Sequence, residues 1–201
     1  MVTHNENHSH LHKIDELEIE TLWVNPHLQS SLVVFLHEGL GSVALWRDFP
    51  QQLCDAIGMR GLVFSRAGYG QSTPRKPHQH WPADFMHRQA LEVLPALLSA
   101  VGVDLEKQPP WLFGHSDGGS IALIYAAQHP SQLAGAIVVA PHILVEDISI
   151  ASIDQARIAY LETDLRERLA RCHADPDSAF WGWNDIWLSP GFRPWRIDDQ
   201  L

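Results

Sequence analysis

The chain has 201 residues, with 24 Asp and Glu against 14 Lys and Arg, giving a formal charge of −10. That length suits one domain with or without an inserted subdomain, and 45% hydrophobic with 19% charged residues excludes a disordered chain. The acidic balance does not steer towards phosphates, so no nucleic-acid partner is expected, and no apolar run approaches the ~20 residues of a membrane helix.

Residues 1–13 are polar and carry His4, His8, His10 and His12, which predicts a disordered His-rich tail. On an extended strand His8, His10 and His12 would share one side and could hold a metal; a frayed polar end is the commoner fact, and no metal is expected. The opening residues lack a basic segment followed by an apolar one, so no secretory signal is read. Cys54 and Cys172 read as reduced thiols, and the expected compartment is the cytoplasm.

Ile14 to Val24 alternates loosely and reads as one or two opening strands. Leu32–Leu36 is a continuous apolar run, as in a strand buried on both faces of a parallel sheet. Ser42 is placed to cap a helix running to about Ile57. A second run, Leu62–Phe64, breaks at Gly68 and Gly70, and a helix from about Ala83 to Val101 follows, with Pro95 expected to kink it. Trp111–Phe113 and Leu133–Ala140 are the third and fourth runs. This alternation predicts an α/β fold with a mostly parallel sheet over 14–142. Beyond His142 the rhythm stops, and 143–201 reads as a helical cap. Helices are predicted over 147–171 and after Asp175, the latter with Phe180, Trp183 and Trp187 on one face. Core packing is the plain reading of that stripe; facing a ligand at the sheet edge is the functional one.

Gly114-His115-Ser116-Asp117-Gly118 is a G-x-S-x-G sequence placed after an apolar strand and before an apolar helix, the setting of a nucleophile elbow. The serine hydroxyl must stand clear of the sheet on a strained turn, and glycines let that turn close. His37-Glu38-Gly39-Leu40-Gly41-Ser42 follows the first buried strand, where a loop can present an N–H to an oxyanion. Neither G-x-G-x-x-G nor Gly-Lys-Ser/Thr is present, so no nucleotide cofactor is expected.

The chain resembles the α/β-hydrolase family in three motifs taken in order: His37–Ser42 is similar to its oxyanion loop, Arg66-Ala67-Gly68-Tyr69-Gly70-Gln71-Ser72 to the segment after the next strand, and Gly114–Gly119 to its elbow. Glu38 stands where the family usually has Gly, and Ser65 where many relatives have Asp. The resemblance implies that Ser116 is the nucleophile, that the N–H groups of Gly39 and Asp117 form the oxyanion hole, and that no cofactor is needed. It also implies an acid and a histidine from two strands beyond the cap. No apolar strand follows Trp195, so the expectation is a core lacking its last two strand–helix units, with impaired catalysis. The strand at Leu133–Ala140 would then be an open edge prone to self-association.

Among internal bases, His142 follows the fourth run on the same sheet edge as Ser116 and is the best candidate. His37 and His115 lie near the elbow by topology, with loop hydrogen bonding as their default. His129 is ~20 Å along the helix and is excluded, and His173 sits in the cap. Trp183 and Trp187 are the candidate pocket residues. Asp117 reads as a solvated carboxylate at the helix start, or as a group favouring a cationic substrate. The expected function is hydrolysis of a small-molecule ester, thioester, amide or activated C–C bond. The alternative is a non-catalytic fragment or binding module that keeps the fold.

Overall fold

The computed structural model describes residues 9–201. Six strands form one sheet: β1 (His10–Ile14), β2 (Leu17–Val24), β3 (Leu32–Leu36), β4 (Arg60–Phe64), β5 (Trp111–His115) and β6 (Gly135–Val139). Their spatial order is β1-β2-β4-β3-β5-β6. β1 and β2 are antiparallel to their neighbours, and β4, β3, β5 and β6 run parallel, so the fold class is α/β with a mostly parallel sheet.

Side chains alternate across the pleat, which divides the apolar runs between two cores. Leu32, Val34, Leu36, Leu62 and Phe64 face the larger core. There they meet α2 (Phe85–Arg88), α3 (Leu94–Ala100) and α4 (Asp117–Gln128) through Met86, Leu94, Ile121 and Tyr125. Val33, Phe35 and Val63 face the other way, with Cys54 of α1 (Phe49–Ile57).

Four local expectations are corrected. Residues 10–13 are not tail: β1 pairs with β2 across a two-residue turn at Asp15-Glu16, in which Asp15 has φ 52°, the positive φ that such hairpins need. His10 and His12 therefore sit on a paired strand, while His4 and His8 lie outside the described residues. No helix starts at Ser42. A single 3₁₀ turn at Ala44–Trp46 ends at Arg47, φ 52°, and α1 begins afresh with Pro50 in its first turn, where a missing N–H costs nothing. The helix expected over Ala83–Val101 is not one α-helix: a π-helical turn at Gln89–Val93 interrupts it just before Pro95 and accommodates the donor that proline lacks. The cap helix divides into α5 (Asp147–Glu162) and α6 (Leu165–Leu169) because Thr163 is extended at φ −126°, ψ −173°.

α7 (Pro176–Leu188) is capped by Asp175, whose carboxylate accepts from the Ser178 N–H at 2.9 Å. After it the chain returns to the sheet domain. The Ile197 N–H donates to the Ile143 carbonyl at 2.8 Å, and Phe192, Trp195 and Ile197 join Trp187 in the larger core. The final stretch of 143–201 is thus part of the core rather than of a separate helical layer.

Among the described residues β6 is an edge of the sheet. Ile137 and Val139 share its face and are 48% and 44% exposed, so an apolar strip lies beside unpaired backbone groups. Sedimentation velocity on chain 1–201 is expected to find self-association, which the double substitution Ile137→Lys, Val139→Lys reduces. An equal monomer fraction for both chains would remove this edge as the cause.

Candidate active site

The elbow is built by three close approaches. Ser116 lies between β5 and α4 at φ 51°, ψ −119°, a conformation that costs a non-glycine residue about 1–3 kcal/mol. Its N–H donates to the Val139 carbonyl at 2.9 Å, which ties the turn to β6. A Cβ on Gly114 would fall 2.3 Å from the Gly118 carbonyl oxygen, and one on Gly118 would fall 2.0 Å from that of Leu36. Glycine is required at both positions by backbone proximity.

The glycine loop after β3 is set by the Glu38 carbonyl. That oxygen accepts from Arg66 Nη2 at 2.9 Å, from His37 Nδ1 at 2.7 Å and from the Gly41 N–H at 3.1 Å. In a trans peptide the C=O and the following N–H point in opposite directions. Pinning the Glu38 carbonyl inward therefore turns the Gly39 N–H the other way, and Gly39 lines the cavity above Ser116. Trp183 covers Gly39 so closely that a Cβ there would meet its indole nitrogen at 2.2 Å. Glycine's replacement by Glu38 thus leaves the carbonyl to do the positioning. The Glu38 side chain turns to the cavity mouth, 3.6 Å from His115 Nδ1. At the other family departure, Ser65 donates to Glu20 at 2.6 Å and accepts from the Val43 N–H at 2.9 Å.

His142 Nε2 lies 3.2 Å from Ser116 Oγ. Ser120, one turn into α4, fixes the His142 backbone from both sides: its hydroxyl donates to the His142 carbonyl at 2.7 Å and accepts the His142 N–H at 3.0 Å. Trp187 packs edge-on against the imidazole, ring centres 4.7 Å apart. Among the described residues His142 Nδ1 has no hydrogen-bond partner.

The cavity holds about 460 Å³ and also brings in His115, Asp117, Ile153, Trp183 and Trp187. Asp117 is not the solvated carboxylate expected: it is 1% exposed, and Arg66 Nη2 stands 3.7 Å away. Burial pushes its carboxyl above the usual range, against the opposing pull of Arg66. His37 is neither base nor pocket residue. It is fully buried, donates from Nδ1 to Glu38 and accepts the Arg66 N–H at Nε2, 3.0 Å, so both nitrogens are engaged. His173 is likewise a strut, accepting from the Gly70 N–H at 2.9 Å and donating to the Leu40 carbonyl at 3.1 Å. Arg66 and Ser120 are site residues that the sequence does not mark, although Arg66 opens the Arg66–Ser72 motif.

Among the described residues no group of three His, Cys, Asp or Glu could hold a metal, and no helix is long and apolar enough to cross a membrane.

A strand-to-helix elbow bearing a serine, beside a glycine loop on a parallel sheet, is the architecture of one class of protein. Residues 31–183 match the family model of the alpha/beta hydrolase fold, and the chain belongs to that family. It is 25% identical over 125 residues to a monoglyceride lipase of Rattus norvegicus, a match that takes in 60% of this chain and 38% of the lipase. This chain therefore spans well under half of that relative. Its fold is similar to a membrane phospholipase A described as a bacterial virulence factor (TM-score 0.69, 20% identity, 97% of this chain and 66% of that one). It is also similar to a carboxylesterase structure from the ammonia-oxidizing thaumarchaeon Nitrososphaera gargenis (TM-score 0.65, 17% identity, 94% and 74%).

The two buried histidines make stability depend on pH. Burial and then the Arg66 charge hold His37 well below the ordinary 6.5, and burial lowers His173. The unfolded chain takes up protons on both rings near pH 6.5, before the fold does. Their contribution is therefore present above about 6.5 and lost as pH falls, by up to about 1.4 kcal/mol per pH unit for each ring. Thermal unfolding followed by circular dichroism should give a midpoint that drops between about pH 7.5 and 5.5, with a shallower drop in His37→Gln. A midpoint unchanged across that range contradicts the assignment.

Proposed function

We propose that this chain is a serine hydrolase of small, uncharged esters, with Ser116 as nucleophile and His142 as its base. The observation that carries the reading is the 3.2 Å approach of His142 Nε2 to Ser116 Oγ on a strained elbow. Ser116 Oγ attacks the ester carbonyl while its proton passes to His142 Nε2. The oxyanion is held by the N–H groups of Gly39 and Asp117, at the positive end of α4. Collapse expels the alcohol, which takes the proton from Nε2. Water then attacks the acyl-serine by the same route and releases the acid. Tryptophan, leucine and isoleucine side chains around the cavity favour an apolar acyl or alcohol group. The monoglyceride lipase and carboxylesterase relatives favour oxygen esters over thioesters, amides or C–C bonds.

A second reading rests on His142 Nδ1, which lacks the hydrogen-bond partner that orients a catalytic imidazole. On that reading the chain binds esters and turns them over little.

A fluorophosphonate probe should label Ser116, as mapped by mass spectrometry, and Ser116→Ala should abolish labelling. Steady-state hydrolysis of p-nitrophenyl esters should fall by on the order of 10⁴ in both Ser116→Ala and His142→Ala. Labelling of a different serine would overturn the nucleophile. Saturable ester binding with a rate equal in wild type and Ser116→Ala would favour the binding module.

A further inference from the structure

A second cavity of about 310 Å³ lies away from Ser116 and shares no residue with the first. Its walls include Thr73, Trp81, Phe85 and Gln89, and it carries Arg75, Lys76 and Arg88 against Glu16 and Glu92. Ala67, Trp81, Phe85 and Gln89 also bound an inner chamber of about 20 Å³, whose remaining walls are Arg66 and Tyr69. That is about the space of one ordered water, opening towards the larger cavity through the four shared walls.

Arg66 makes the inner chamber chemically specific. It is 2% exposed, and among the described residues neither its Nε nor its Nη1 has a hydrogen-bond partner. Its Nη2 is already committed to the Glu38 carbonyl, and the Tyr69 ring lies 4.9 Å from the guanidinium carbon. Leaving a buried donor without an acceptor is costly, and more so when it is charged, so the chamber favours an anionic acceptor. Arg75, half-buried on the wall, also has a buried Nε without a partner among the described residues. The π-helical turn supplies Gln89, Glu92 and Val93 to the same wall, and such turns occur frequently at functional sites.

We propose that this second cavity binds a small carboxylate with an apolar or aromatic body. The carboxylate accepts hydrogen bonds from Arg66 in the inner chamber, and the body lies along Trp81 and Phe85. Because the same guanidinium holds the Glu38 carbonyl and stands beside Asp117, an occupant there bears on the loop above Ser116. The binding claim itself does not depend on catalysis.

The probe is sodium 3-phenylpropionate, titrated into ¹⁵N-labelled chain, with uncharged 3-phenylpropionamide as control. Expected are saturable shifts of the Trp81 indole N–H and the Gln89 amide that the amide compound does not reproduce. Gln89→Phe, which fills the entrance from a half-buried position, should weaken binding at least about tenfold. Lys76→Glu reverses an exposed charge without touching the packing and should weaken it severalfold, so the test stands even if the first variant fails to fold. Shifts confined to Trp183 and Trp187, an equal response to the amide, no saturable binding, or affinity unchanged in the folded variants would overturn the proposal.

Discussion

Gly118 packs against the end of β3 at a distance no other residue tolerates, since a Cβ there would overlap the Leu36 carbonyl. That seam brings the first turn of α4 down onto two strand ends at once. It holds Ser116 in the strained conformation, with φ 51°, and it starts the glycine loop directly beside Ser116, because His37 follows Leu36. Strand, loop and helix terminus meet at one close backbone contact. The strain is sustained by the surrounding sheet: the Ser116 N–H is bonded to β6, and the elbow glycines interlock with each other.

Beneath the seam lies a buried polar cluster centred on Arg66. Its guanidinium reaches the Glu38 carbonyl and the Asp117 carboxylate, and its own N–H is accepted by His37. The two loops that bracket Ser116 therefore share one cation. Removing one partner of such a buried pair costs about 3–5 kcal/mol, because the other is left uncompensated. Arg66 consequently matters to the shape of the site without lining the cavity above Ser116. Ser120 acts comparably on the far side, gripping the His142 backbone by both its carbonyl and its N–H.

The strands of the parallel sheet and the elbow were legible because their signals are local: apolar runs ending in glycine, and a serine flanked by glycines between a strand and a helix. His142 was legible by topology, as the histidine that follows the strand beside the elbow. What stayed hidden depends on contacts between distant segments. Asp117 looked solvated because a first-turn carboxylate usually is, and only packing over α4 buries it. Arg66 and Ser120 carry no spacing that marks a role. His37 looked like a candidate base until both its nitrogens proved engaged in the loop. β2 was legible in the loose alternation of Ile14 to Val24, whereas β1 was concealed by the polar composition of residues 10–13, and Phe192, Trp195 and Ile197 follow no helical or strand period that would have returned them to the core.

The central claim is that His142 activates Ser116, and its most direct test is the acylation step itself. Rapid mixing with p-nitrophenyl acetate should release a burst of p-nitrophenol, with peptide mapping locating the acetyl group on Ser116. In His142→Gln the same adduct should form more slowly, by a factor on the order of 10² or more. Acetylation of Ser116 at the same rate in wild type and His142→Gln would contradict the account.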